Sequence, residues 1–399
     1  MRYASITKRL EKLGSGKWAV HRAGRRRMAE GHDVIELTIG EPDIAPDPAM
    51  LRACSDALFA GRIRYSDGRG EPALLDALAA RYTARTGRPF TRDNFMCFPG
   101  TQTALSVVMQ GLVETGDEVL VGDPYYATYE GVIRATGATV VPVRLRPEAG
   151  FHLAAADLAA AVTPRARVIL LNTPHNPTGA VLSAAEIAAI GEVARAHDLW
   201  ILSDEVYELL LHRGRFASPL DDPALAGRSV AVSSISKSNA APGMRSGWAA
   251  GPAGFVDTLL PVAETMLFGN QPFIADATAH ALTAPGDIAA RMRASYRARA
   301  GMAADLLAGG PGLVPMTPEA GMFLFLDIRG TGVTDEDFAL GLLARENVSV
   351  MPGSSFGAGG AGFLRLSLTV PDARLAEACR RILRHAARCA ADRGTAAAV

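Results

Sequence analysis

The chain has 399 residues, of which 49% are hydrophobic and 21% charged. That balance excludes a disordered chain, and at about 100–200 residues per domain the length fits two or three domains. Lys+Arg and Asp+Glu both number 41, so no excess charge points to nucleic acid or to an anionic membrane surface.

The charged amino terminus lacks the apolar stretch of a signal peptide, and no run of about 18 apolar residues occurs. Cys54, Cys97, Cys379 and Cys389 show no Cys-x-x-Cys spacing. The expectation is a cytoplasmic protein with no disulfide framework, no metal site, no nucleic-acid partner and no membrane span.

The first element expected is an exposed helical arm bearing Lys8, Lys12 and Lys17. Apolar runs follow at 95–98, 118–121, 139–145, 168–172, 200–203 and 229–233, with amphipathic stretches such as 101–114 and 184–197 between them. Short β-rich runs alternating with helices predict an α/β sheet, mostly parallel and covered on both faces. Gly- and Pro-rich segments near 284–287 and 309–318 read as joints. Beyond them the pattern predicts a helix over 288–307, strands at 322–328, 348–351 and 363–368, and a closing helix over 372–393, a smaller α+β unit. There is no internal repeat. The glycine-rich stretch 357–362 and the Ala-rich tail after Asp392 are compositionally simple.

Two motifs in this last third are decoys. Gly353-Ser354-Ser355-Phe356-Gly357 fits the G-x-S-x-G elbow of serine hydrolases, with Asp372 and His385 in hydrolase order. An elbow needs a helix behind the serine, and here a glycine-rich stretch and a further strand follow. Gly357, Gly359 and Gly362 fit G-x-G-x-x-G, but neither the following helix nor the acidic residue about 20 positions on is there, so the stretch reads as a loop.

Only four lysines occur, and Lys237 is the only one after residue 17. Arginine stands at every other basic position there. Arginine neither gives up its proton nor forms an imine, whereas lysine does both. Chance survival is the plain alternative. Lys237 lies in Ser233-Ser234-Ile235-Ser236-Lys237, just past an apolar strand, with Arg245 eight residues on. An amine beside hydroxyls and a guanidinium suits an anionic aldehyde cofactor, and pyridoxal phosphate meets both demands.

Such a cofactor places demands on other strand ends. Its phosphate calls for a helix amino terminus, and Gly100-Thr101-Gln102 opens the helix expected over 101–114. An ordinary start with Thr101 as cap is the alternative. Its ring nitrogen calls for a buried carboxylate, and Asp204 ends an apolar strand, with Tyr207 three residues on. A helix-capping Asp is the alternative. Asn172 and Asn176 flank a turn after another apolar run and offer donors to the ring's phenolic oxygen, and Tyr125 and Tyr126 offer a ring to stack or to pack in the core. In Phe363-Leu364-Arg365-Leu366-Ser367-Leu368, Arg365 and Ser367 share the face opposite the leucines. An arginine there wants an anion, either a substrate carboxylate or a structural partner.

Taken together, Asn176-Pro177-Thr178-Gly179, Ser203-Asp204-Glu205-Val206-Tyr207, Ser234-x-Ser236-Lys237 with Arg245, and Arg365 make the chain resemble the class I/II aminotransferases of fold type I. The resemblance begins near Ile39-Gly40-Glu41-Pro42-Asp43 and runs to Arg365. The segments His197-Asp198-Leu199-Trp200 and Asp204-Glu205-Val206-Tyr207 are also similar to the bacterial arginine–pyruvate aminotransferases.

The resemblance implies a large α/β domain over 46–287 with a mostly parallel seven-stranded sheet covered by helices. It implies a small α+β domain over 288–399, and 1–45 as an amino-terminal arm that adds to the small domain. It implies amino transfer from an L-amino acid to a 2-oxo acid, with Lys237 holding pyridoxal phosphate as an internal aldimine. Asp204 would pair with the ring nitrogen, Asn176 and Tyr207 would bond the phenolic oxygen, and Tyr126 would stack. Gly100, Thr101, Gln102, Ser234 and Arg245 would hold the phosphate, and Arg365 the α-carboxylate with Gly40 behind it. Tyr65 would reach the phosphate of a second subunit, so a homodimer is implied. Pro242-Gly243-Met244 replaces the Thr-Gly-Trp of many relatives but keeps the spacing to Arg245. A lysine found in one aspartate aminotransferase group is absent from Gly100-Thr101-Gln102, which weakens the case for an enzyme specific to aspartate. A carbon–sulfur β-lyase on the same scaffold is the alternative activity. A regulator without turnover is a third reading, against which the intact Lys237 and the lack of a basic patch argue.

Overall fold

The computed structural model describes residues 1–11, 13 and 16–396. Lys12 of the expected arm and the last residues of the Ala-rich tail lie outside the described residues. Twelve strands occur among those described. In chain order they are β1 (Ile35–Leu37), β2 (Phe95–Phe98), β3 (Glu118–Asp123), β4 (Thr139–Arg144), β5 (Ala166–Asn172), β6 (Trp200–Asp204), β7 (Ser229–Ser234), β8 (Gly247–Ala250), β9 (Val314–Met316), β10 (Phe323–Asp327), β11 (Val348–Pro352) and β12 (Phe363–Ser367).

Seven of them form one sheet in the order β2-β8-β7-β6-β5-β3-β4. Only β8 runs antiparallel to its neighbours. The other pairings are parallel. Every residue of β2, β3, β7 and β8 is buried. A strand covered on both faces has no solvent side to mark with polar residues, which is why these segments read as unbroken apolar runs. The two faces bury separate clusters, one around Val107, Val119 and Leu202, the other around Ile169, Ile190 and Ile201. The helix Ala184–Ala196 that covers the second face starts at a reciprocal cap between Ser183 and Glu186.

The remaining strands form a five-stranded sheet in the order β1-β11-β12-β10-β9. The helices Ile288–Leu307, Asp335–Glu346 and Asp372–Ala396 share its apolar cluster, and so do Val206, Tyr207 and Leu210 from the turn after β6. That turn is therefore packed against both sheets.

Three strands are additions to the sequence reading. β8 has one Gly and two Ala in four residues, and neither alternation nor β-branching marks it. β1 and β9 have three residues each, too few to show a period. β9 corrects the reading of 309–318 as a plain joint, since it pairs antiparallel with β10. Lys17 is a second correction. It is not on an exposed arm, because its Nζ lies 2.9 Å from Glu130 and the pair is half-buried.

The serine-elbow motif forms a short 3₁₀ turn, Gly353–Phe356, and Ser355 Oγ donates to the carbonyl of Lys17. Gly359 N–H in the glycine-rich loop bonds Asp123. Among the described residues no helix is long and apolar enough to cross a membrane, and all four cysteines are free thiols.

Candidate active site

The carboxyl ends of β2, β3, β5, β6 and β7 converge on one cavity of about 260 Å³. In an open parallel sheet this end gathers strand-to-helix loops and unpaired helix amino termini, which makes it the natural place for a ligand. Of the site residues named from sequence, Gly40, Thr101, Gln102, Tyr126, Asn176, Asp204, Tyr207, Ser234, Lys237, Arg245 and Arg365 line it. Gly100 shapes it from behind. Tyr65 is not brought there within one chain: it is 93% exposed and meets Phe268 edge-on.

One end of the cavity is an anion cradle. The helix Thr101–Leu112 points its amino terminus into it. Its cap is Gly100, with φ of 88°, rather than Thr101. A Cβ on Gly100 would lie 2.2 Å from Arg245 Nη2, and one on Gly247 2.8 Å from Thr101 N. Both glycines are therefore required for the helix start, the end of β7 and Arg245 to meet. Arg245 donates to the carbonyls of Pro242 and Pro99, and among the described residues no carboxylate pairs with it. Thr101 Oγ1 is buried without a partner. Free amides, a helix dipole, an idle hydroxyl and a guanidinium without a counter-ion fit a phosphate group.

Asp204 sits at the centre. Its Oδ2 accepts from Tyr129 O–H at 2.8 Å and its Oδ1 from Val206 N–H at 3.3 Å. Burial pushes its carboxyl up to about 6, against the pull of Tyr129, Val206 and Lys237. The carboxylate is thus more than a turn cap, since it lines the cavity with partial charge neutralisation only. Burial pushes the hydroxyl of Tyr207 far up, and its partner is Asn176. Asn172 Oδ1 in turn accepts from Asn176 N–H at 2.8 Å. Tyr126 stands edge-on to Tyr129 with ring centres 5.5 Å apart.

Arg365 lies at the other end, 3% exposed. Its guanidinium is sandwiched between Phe323 and Phe356, with ring centres at 4.0 and 4.6 Å. Nη1 donates to Asn176 Oδ1 at 2.9 Å and Nη2 to the Thr38 carbonyl at 2.5 Å, while Nε has no partner. Among the described residues no carboxylate pairs with it, so the structural ion pair is not there. Burial pushes this guanidinium down to about 10. Gly40 is glycine because a Cβ would lie 2.2 Å from the Phe323 ring.

Lys237 Nζ donates to the Gly40 carbonyl at 2.5 Å, so the lysine ties the turn after β7 to the segment after β1. Burial, then the charge of Arg365, pushes its amine down to about 8. The folded protein therefore binds fewer protons than the unfolded chain between that value and the ordinary lysine range, and stability rises with pH there. Below pH 8 the buried charge costs on the order of 3 kcal/mol. Lys237→Met is accordingly expected to melt higher than the parent in cofactor-free protein at pH 7. The gap should close between pH 8 and 10.5, as thermal denaturation against pH will show.

The sequence reading missed Trp18, Ile39, Tyr129 and Phe323, which also line the cavity. Tyr129 lies three residues beyond Tyr126, at the start of the helix Tyr129–Thr136, and that nearness is the only local signal for it. The other three come from the amino-terminal segment and the small sheet, and nothing near them in sequence points at Lys237.

The sequence profile of aminotransferase class I and II matches residues 32–382. The chain is 43% identical over 392 residues to arginine–pyruvate transaminase AruH of Pseudomonas aeruginosa, covering 98% of this chain and 99% of that one. It is 30% identical to an aspartate aminotransferase of Geobacillus stearothermophilus, covering 88% and 92%. Among solved structures, the aspartate aminotransferase of Rhizobium meliloti superposes with a TM-score of 0.92 at 30% identity, covering 97% and 99%. That of Thermus thermophilus with maleate gives 0.91 at 30% identity, covering 96% and 100%. The fold is the fold type I arrangement of these enzymes. The chain belongs to the class I and II aminotransferases, a family generally dependent on pyridoxal phosphate, and it is a transaminase.

Proposed function

We propose that the chain transfers an amino group from an L-amino acid to a 2-oxo acid with pyridoxal 5′-phosphate bound in this cavity. The observation that carries the reading is the set of cations around Lys237. Arg245 and Arg365 both add to the pressure on its amine, and neither has a carboxylate partner among the described residues. Such a site calls for two anions, and a phosphate at Arg245 with an α-carboxylate at Arg365 supplies them.

When bound, the cofactor supplies an aldehyde carbon for amines and a protonated ring that takes up the electron pair freed at the substrate α-carbon. The chain's residues do the rest. Gly100, Thr101, Gln102, Ser234 and Arg245 hold the phosphate. Asp204, anionic at neutral pH, keeps the ring nitrogen protonated, and Tyr129 holds that carboxylate in place. Asn176 and Tyr207 bond the phenolic oxygen, and Tyr126 covers a ring face. Arg365 fixes the substrate carboxylate in a fork, with Gly40 leaving room beside it. Lys237 has a depressed pKa, so a share of its amine is unprotonated near neutral pH. That amine takes the proton from the substrate α-carbon.

L-arginine and pyruvate are the proposed pair, because the 43% identical Pseudomonas relative bears that name. The test mixes purified protein and pyridoxal phosphate with single amino acids and follows the visible band. Arginine should bleach the band and pyruvate should restore it. Bleaching by other donors alone would overturn the arginine assignment. Pyruvate release from cystathionine without amino transfer would replace transfer by lyase chemistry.

We infer a homodimer from an apolar surface. Leu51, Leu58, Phe59, Ile63, Tyr65, Met266 and Phe268 are all exposed, and Tyr65 meets Phe268. Patches of this kind mark interfaces. Light scattering should give twice 41.9 kDa, and Phe59→Asp with Ile63→Asp should give the single-chain mass. We also read the spans 1–45, 46–287 and 288–399 as arm, large domain and small domain. The pairing of β1 with β11 supports counting the arm with the small sheet. A cytoplasmic location accords with the four free thiols.

A further inference from the structure

Directly behind the turn that bears Asp204 and Tyr207 lies a buried group of charges that the chemistry above leaves unused. Glu205 and Glu208 alternate with those two residues along the turn and point away from the cavity, toward the helix Pro72–Thr86. The side chain of Glu205 is 0% exposed and that of Glu208 5%. Arg81 and Arg85, one turn apart on that helix, meet them. Arg81 Nη2 lies 2.8 Å from Glu208 Oε1. Arg85 Nη1 lies 3.2 Å from Glu205 Oε2 and 3.1 Å from Glu208 Oε2, bridging the two.

The Arg85 guanidinium lies over the ring of Tyr82 at 4.5 Å, and its Nε is 3.4 Å from Asp221, although neither Nε nor Nη2 makes a hydrogen bond. Ser218 Oγ donates to the second oxygen of Glu205 at 2.5 Å. Arg88 adds a further charge near Asp221. The backbone of the turn is held as well, by Glu205 N–H to the Val232 carbonyl and Leu210 N–H to the Tyr207 carbonyl.

We propose that Arg85 is a positioning residue: by bridging Glu205 and Glu208 it clamps the 204–208 turn and so sets where Asp204 and Tyr207 face the cavity. The proposal rests on the roles given to those two residues above. Two carboxylates on one turn, in apolar surroundings, are stable only if paired. Burial alone would push Glu208 up, yet Arg81 and Arg85 outweigh it and hold the carboxyl below its ordinary range. Glu205, which depends on Arg85 alone among the guanidiniums, is pushed by burial up to about 7. Without Arg85 the turn carries an uncompensated buried charge. It can shed that charge by protonation or by swinging toward solvent, and swinging moves Asp204 and Tyr207 with it.

The test compares parent, Arg85→Met, Glu205→Gln and the double variant. Hydrogen exchange of the peptide spanning 204–210 is read in cofactor-free protein. Pyridoxal phosphate affinity and the pH at which its visible band titrates are read in loaded protein. Arg85→Met should speed exchange and weaken cofactor binding by at least about tenfold each, and should shift the band's titration. Adding Glu205→Gln removes the stranded charge and should restore exchange and affinity to within about threefold of the Glu205→Gln protein. Exchange and band titration like the parent's in Arg85→Met would overturn the proposal, as would a double variant no better than the single. If Arg85→Met does not fold, Arg85→Lys and Arg85→Gln separate charge from polarity at this position. Because both contacts run through Nη1 alone, an ammonium can hold the two carboxylates, so Arg85→Lys should stay within about threefold of the parent. Arg85→Gln, which stays polar but loses the charge, should show the Arg85→Met changes, and parent-like values in Arg85→Gln would overturn the proposal. Parent protein with no visible band would remove the cofactor reading, while the exchange comparison still decides the role of Arg85.

Discussion

Lys237→Ala is expected to lose at least about 10²–10⁴-fold in turnover, the share that a positioned acid–base group contributes. The loss should be larger in practice, because the amine is also the cofactor's covalent anchor in the proposed reaction. No other side chain stands ready to replace it. It is the only lysine beyond residue 17, and Lys17 is held by Glu130. The nearby bases are guanidiniums, which neither form an imine nor release a proton at working pH. In the proposed reaction the depressed amine, at about 8, would let the group act as a base near neutrality. The measurement is the visible spectrum after adding pyridoxal phosphate, with single-turnover amino transfer. The variant should fold, because it removes a buried charge. Full activity would end the mechanism.

Arg365→Lys is expected to raise KM for every amino donor by a similar factor. The proposed fork to the substrate carboxylate would be a pair of charge-assisted hydrogen bonds, and losing one costs about 1.5–3 kcal/mol, or roughly 10- to 150-fold in kcat/KM. Lysine keeps the charge but cannot span the same geometry, since Nη1 and Nη2 already reach Asn176 and Thr38 on either side. It also loses the planar contact with Phe323 and Phe356. The uniformity is the discriminating feature. A residue that reads the donor's side chain would change the ranking of donors, whereas one that reads the carboxylate leaves it intact. Steady-state kinetics with three or more donors checks this, and an unchanged KM would make Arg365 a packing residue.

The parts of the fold that were legible are those with a local signature. β2 and the helix Ile288–Leu307 have the limits expected from their apolar patterns, because a fully buried strand and a long amphipathic helix announce themselves within their own residues. β8 was not legible, because Gly247-Trp248-Ala249-Ala250 becomes a strand only through its antiparallel neighbours β2 and β7. Thr101 illustrates a finer limit. Its place at a helix start was plain, but that Gly100 takes the cap and leaves Thr101 Oγ1 idle follows from Arg245 lying against Gly100.

By itself the sequence determined the chemistry on offer: one interior lysine, an aspartate ending an apolar strand, an asparagine turn, a glycine before a helix, and an arginine among leucines. Each is a residue type whose cost or reactivity is intrinsic, so its neighbours along the chain are enough to mark it. Only the tertiary structure decided which of these meet. Arg365 bonds Asn176 across 189 positions, Lys237 bonds Gly40 across 197, and Arg85 bonds Glu205 across 120. Contacts at that separation leave no period in the sequence. They exist because two sheets pack against one turn, and packing is a property of the whole chain.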